Sequence, residues 1–141
     1  MKERKSGYAT GMAGEFFVMG CLFRLGHEPA LTLGNAKSID VLVKTPSGVK
    51  EISVKAVQGG GKWPVDKGDL SGRENLVFVF LRYRDREFGD PKKQPDVWVM
   101  RAAEVEKRKR PWFAKSAIYY THGKHAPVGL DQFRDRWDFV G

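Results

Sequence analysis

Between Ile39 and Val57 the chain reads IDVLVK, TPSG, VKEISVKAV: two strand-like runs joined by four residues rich in turn formers. Pro46 and Gly48 suit a tight turn, and Val49 to Val57 alternates as a strand does when its two faces differ. The segment therefore predicts an antiparallel hairpin. If Lys44 pairs with Val49, Asp40 falls opposite Ser53 and Lys55 lies diagonally one pleat along, at Cβ separations of ~4.5–5.5 and ~7–8 Å. Glu51, Ser53 and Lys55 share one face, and Ile52, Val54 and Ala56 the other. A carboxylate and an ammonium thus converge on strands made mainly of Val, Ile and Leu, where burying charge is costly without a partner or a metal. A plain cross-strand ion pair between Asp40 and Lys55 is the alternative that carries no chemistry.

The rest of the chain supplies layers for this hairpin. A helix is expected from Thr10 to Leu25, with Met12, Phe16, Met19 and Phe23 in one stripe and Val18, Leu22 and Leu25 in the next, and Gly26 ending it. Stripes this broad predict a mostly buried helix. Pro29 to Leu33 is a weak strand candidate. Leu76 to Leu81 (LVFVFL) is apolar on both faces and predicts a strand at the sheet centre. Asp96 to Met100 predicts another strand, Ala102 to Lys109 a short helix, Ile118 to Thr121 an extended piece, and Asp131 to Val140 a closing helix. Gln58 to Gly72 and Arg82 to Pro95 read as surface loops, where binding groups concentrate. This order predicts a single α/β (α+β) domain around one mixed sheet.

Composition narrows the setting. With Lys and Arg at 25 against 17 Asp and Glu, the net charge is +8 and the pI about 9.7, a balance that favours a polyanionic partner or serves solubility alone. Cys21 is the lone cysteine, so neither an intrachain disulfide nor a cysteine zinc site is available, which favours the cytoplasm. No apolar stretch follows Met1-Lys2-Glu3-Arg4-Lys5 as a secretory signal requires. The longest apolar run, Leu76 to Leu81, falls far short of the ~20 residues of a membrane span.

Glu15 lies three, four and seven residues before Val18, Met19 and Leu22, so it points along the apolar side of its helix. Either it sits in the first turn, where the helix dipole favours a negative charge, or it belongs to a metal or active site.

A helix bearing Glu15, then Ser38-Ile39-Asp40, a turn, and Ile52-Ser53-Val54-Lys55 resembles the PD-(D/E)XK nuclease superfamily, in the manner of its small resolvase-like and restriction-type members. The resemblance implies a restriction-endonuclease-like sandwich with an αβββαβ core, and metal-assisted hydrolysis of DNA. It makes Asp40 the metal-binding aspartate, Lys55 the motif lysine and Glu15 the helix carboxylate, with Mg²⁺ or Mn²⁺ as cofactor. Ser53 stands where the family carries Glu, Asp or Gln, and a hydroxyl is a poorer ligand for a hard cation than a carboxylate. Glu51, on the same face, is the candidate to substitute for it. Loss of catalysis through Ser53 would leave a nucleic-acid-binding or protein-interaction module on the same fold. Small nucleases of this kind often dimerise, which leaves a homodimer open.

Lys62, Trp63, Arg82, Arg84, Arg86, Lys92, Lys93, Arg108 and Arg110 are the candidates to contact DNA, or RNA in its place. The tetrad Lys107 to Arg110 grips phosphates or complements a helix end. Gly59-Gly60-Gly61-Lys62 is not a phosphate-binding P-loop, because Trp63 stands where Ser or Thr is required. Pro95-Asp96 has no Glu-X-Lys after it at hairpin spacing. His122 and His125 read as a solvent loop rather than metal ligands. Cys21 reads as an inert helix residue, and Trp98, Trp112 and Trp137 as core or interface aromatics.

Overall fold

A computed structural model of the chain describes residues 7–32, 39–120 and 130–141. Ser38, Leu33, Thr121, His122 and His125 lie outside the described residues.

The elements run α1 (Gly7–Arg24), β1 (Glu28–Leu31), β2 (Val41–Thr45), β3 (Gly48–Gln58), β4 (Lys62–Val65), β5 (Leu76–Tyr83), β6 (Asp96–Arg101), α2 (Ala102–Arg108), β7 (Arg110–Trp112) and β8 (Lys115–Tyr119), followed by 3-10 turns at Leu130–Phe133 and Trp137–Phe139. Five strands form a mixed sheet in the order β1-β2-β3-β5-β6, and three form an antiparallel sheet in the order β4-β8-β7. Within the larger sheet only β3 and β5 run parallel. No helix among the described residues is long and apolar enough to cross a membrane.

The two apolar faces of β5 explain the layering. Val77, Val79 and Leu81 meet Val18 and Leu22 of α1 together with Ile52 and Val54, while Leu76, Phe78 and Phe80 meet Trp63, Trp98, Val105 and Ile118. One face of the main sheet is thus covered by the helix, and the other by the small sheet and α2. Nearly every side chain of β5 is buried, as its continuous hydrophobic run requires.

Four expectations change. Gln58 to Gly72 is not a loop throughout, because it contains β4. Where an αβββαβ core places a helix between its parallel strands, this chain crosses from β3 to β5 through β4 and the loop that follows. Glycines 59 to 61 and Pro64 are poor helix formers, whereas Trp63 and Val65 alternate with half-buried Lys62 and Pro64 and bury one face. Gly59 and Gly60, at φ +60° and +73°, make the turn into β4 in a conformation most residues resist. The closing helix is replaced by two 3-10 turns, because Asp135 N donates to Val97 O, Arg134 bridges to Trp98, and Asp135 takes φ +54°. The tail docks on β6 instead of coiling.

The fourth change concerns α1, which is not mostly buried. Its buried side runs through Thr10, Gly14, Glu15, Val18 and Leu22, whereas Tyr8, Phe16 and Phe23 are 77%, 59% and 58% exposed. Gly14 marks the closest approach, since a Cβ there would stand 2.8 Å from Ala56 Cβ. The helix therefore lies tight against β3 and can bury only one of its two apolar stripes.

Candidate active site at the fork of two strands

Lys44 pairs with Val49, as the turn predicts, and Val41 against Ile52 is the last registered pair of the hairpin. There the strands part. Asp40 N still donates to Ile52 O at 2.9 Å. The next ladder donor, Val54 N, is taken at 2.7 Å by the Asp40 carboxylate, through Oδ2, rather than by a backbone carbonyl. The Asp40 carbonyl in turn accepts from Thr32 N at 3.0 Å and from Thr32 Oγ1 at 3.2 Å. Its backbone is thereby fixed between β1 and β3, with the carboxylate at the fork. Beyond it, β3 stays paired on its other edge with β5 as far as Gln58.

Three polar groups at this fork lack the partners that burial demands. Asp40 is 9% exposed, and the Val54 amide is its carboxylate's one hydrogen bond among the described residues. The Ser53 hydroxyl, 1% exposed, has no hydrogen-bond partner among them. The side chain of half-buried Lys55 makes no hydrogen bond or ion pair among them, so the plain Asp40–Lys55 ion pair is not formed.

The candidate ligands do not gather as a three-carboxylate site. Glu15 is also 9% exposed, on the side of α1 that meets β3, but the helix begins at Gly7 and has no acidic residue in its first turn. The helix-dipole account of Glu15 therefore falls. Glu51 is drawn to Arg73, whose Nη2 lies 3.2 Å from its Oε1. Among the described residues no three His, Cys, Asp or Glu side chains stand together as a metal site.

On the Ser53 and Lys55 face opens a cavity of about 210 Å³, walled also by Leu76 and Phe78 of β5 and by Asp66, Asp69, Leu70 and Arg73 from the loop after β4. Neither Asp66, Asp69 nor Arg73 stood out in the sequence, because the loop has no periodicity and its place beside Ser53 depends on β4 pairing with β8. Helix α2 holds this loop: Leu70 N donates to Glu106 Oε1 at 3.0 Å, and Lys109 Nζ donates to Gly68 O at 2.6 Å. The same Lys109 reaches Glu106 at 2.8 Å. Its ammonium, followed by the Leu70 amide, holds the Glu106 carboxyl below its ordinary range.

The basic candidates separate into groups. Trp63 is a correction: it is fully buried, donating from Nε1 to Leu81 O at 2.8 Å, so its ring is closed to bases. Arg84 is bound to Asp96 at 3.1 Å and Arg108 to Glu104 at 3.2 Å. Lys62 lies over Trp112 and Arg82 over Tyr120. Arg86, Lys92, Lys93 and Arg110 are exposed, and their side chains make no ion pair among the described residues. Of the tetrad, Lys107, Arg108 and Lys109 pair with carboxylates of α2 itself. Asp96 takes Arg84 on one side and Arg134, at 2.6 Å, on the other, which gives it a structural post. Burial pushes the Cys21 thiol up, away from reactivity.

No protein-family model matches the chain, and no curated protein matches it. Among solved structures it is similar to a bacterial homing endonuclease, I-Ssp6803I, with a TM-score of 0.60 over 97% of this chain and 92% of that chain, at 15% identity. That likeness shows the fold: a nuclease-like mixed α+β architecture built on a central five-stranded sheet.

Proposed function

We propose that the chain is a divalent-metal-dependent DNA endonuclease of the PD-(D/E)XK type. The observation that carries this reading is the fork itself. A nearly buried carboxylate, a buried hydroxyl and a lysine, each short of partners, belong to residues around the point where one strand leaves another. Arrangements that forgo pairing at such cost belong with functional sites more than with folding. The endonuclease likeness over nearly the whole chain supports it.

The residues fit a hard cation. Mg²⁺ binds through one or two carboxylates, keeps several waters and takes substrate phosphate oxygens, so it does not need a three-acid cage. Asp40 would hold it together with Glu15 from α1, while Glu51 is engaged by Arg73. When bound, Mg²⁺ or Mn²⁺ lowers the pKa of a water and polarises the phosphodiester. Lys55 neutralises charge that develops on the phosphate or orients the attacking water. Val54 N, by holding Asp40 Oδ2, fixes the carboxylate before substrate arrives. Arg86, Lys92, Lys93 and Arg110 carry free charge for the DNA backbone. Junction resolution is one form this activity takes.

Ser53 favours a second reading, in which the fold binds nucleic acid without cutting it. Cleavage of plasmid, linear, junction and single-stranded DNA across Mg²⁺ and Mn²⁺ separates the two. The endonuclease reading expects Asp40→Ala and Lys55→Ala each to lose on the order of 10²-fold or more in rate. Full activity in both variants would sink it. Salt-sensitive binding without cleavage under either metal would select the second reading.

A further inference from the structure

The loop after β4 brings a carboxylate beside Ser53. Val65, buried and paired with Ser116, is the last residue of β4, so Asp66 leaves the small sheet from a fixed point. It lines the same cavity as Ser53 and Lys55. The other acids there are engaged. Asp69 Oδ1 accepts from Ser71 N at 2.9 Å and from Ser71 Oγ at 2.7 Å, and Glu51 accepts from Arg73. Asp66 makes no hydrogen bond or ion pair among the described residues. The Ser53 hydroxyl, nearly inaccessible to solvent, faces this space without a partner among them.

The cavity lining sets two carboxylates, Asp66 and Asp69, against two cations, Lys55 and Arg73, and Arg73 is turned to Glu51 outside the lining. A divalent cation would find one free carboxylate, one free hydroxyl and room for water, which is the kind of set Mg²⁺ accepts with a phosphate.

We propose that Asp66 supplies the carboxylate that position 53 lacks, holding a divalent cation in this cavity with the Ser53 hydroxyl as a further oxygen ligand. The proposal rests on the endonuclease reading and adds to it a ligand from the loop after β4. Asp66 is exposed and untied, so its replacement does not threaten the fold. The cavity also leaves space for a longer side chain at position 53.

The test is Mn²⁺ binding to the full chain, read by electron paramagnetic resonance, in wild type, Asp66→Asn, Asp69→Asn and the double variant Asp66→Asn with Ser53→Glu, with DNA cleavage measured alongside. Asp66→Asn is expected to weaken Mn²⁺ about 10-fold or more, Asp69→Asn to leave it unchanged, and Ser53→Glu to restore it in the double variant. Wild-type Mn²⁺ affinity in Asp66→Asn overturns the proposal. If that variant also cleaves DNA at the wild-type rate, the endonuclease reading stands without Asp66. Mn²⁺ binding through Asp66 with no cleavage by wild type keeps the cation site and removes the endonuclease reading. No Mn²⁺ binding by wild type overturns the proposal outright.

Discussion

Position 53 is a place where the fold gives up stability. Its hydroxyl is buried without a partner among the described residues, an arrangement that costs on the order of 1–3 kcal/mol. Ser53→Ala is therefore expected to stabilise the fold by ~1 kcal/mol in urea unfolding while weakening Mn²⁺ binding. A destabilised Ser53→Ala would show that the hydroxyl is satisfied after all. Asp96 is the contrasting case, since it holds Arg84 and also Arg134, which lies 38 residues further along the chain. Asp96→Ala leaves two half-exposed arginines without their carboxylate and is expected to cost roughly 1 kcal/mol, with cleavage at saturating metal unaffected. The register that carries Asp40 to the end of the hairpin was legible from spacing alone, because the turn fixes β2 on β3. That Arg84 is held by Asp96, and Trp63 by the core, was not. Those partners come from distant segments, and nothing local marks a charged residue as paired or a tryptophan as buried.

At the scale of elements, α1 and α2 each position part of the cavity or fork. Helix α1 and nearly all strands follow from periodicity, but not the side on which α1 docks. Two apolar stripes of similar length compete in Met12-Phe16-Met19-Phe23 and Val18-Leu22-Leu25, and Gly14 decides between them by letting the backbone approach Ala56. Gly14→Ala is expected to push the helix off the sheet at a cost of about 1–3 kcal/mol, whereas Phe23→Ala on the outer stripe should stay within about 0.5 kcal/mol. Thermal or denaturant melts distinguish the two. Helix α2 clasps the cavity loop through Glu106 and Lys109. Because the Glu106 carboxyl lies below its ordinary range in the fold, the clasp is complete above the usual glutamate range and is lost as pH falls through that lowered value. Hydrogen exchange over residues 66–73 is expected to rise in that acid window, and Glu106→Gln should raise it already at neutral pH. An unchanged exchange rate in Glu106→Gln would show that the loop is held by other contacts.

For the whole molecule, the mixed sheet and its class were legible because Leu76 to Leu81 needs cover on both faces. The second sheet was not, since β4 is four residues inside a glycine-rich stretch and its partner β8 lies more than 50 residues on. The loop that leaves that sheet walls the cavity beside Ser53 and Lys55, so the missing layer and the missing cavity wall are one omission. With a net charge of +8 and Arg86, Lys92, Lys93 and Arg110 free of ion pairs among the described residues, DNA affinity is expected to fall steeply with salt. The most direct measurement of the account is single-turnover cleavage of DNA in Mg²⁺ by wild type and Asp40→Asn, with a chelator control. Cleavage by wild type that stops in chelator and is lost in Asp40→Asn is the predicted result, and cleavage by Asp40→Asn at the wild-type rate would contradict it.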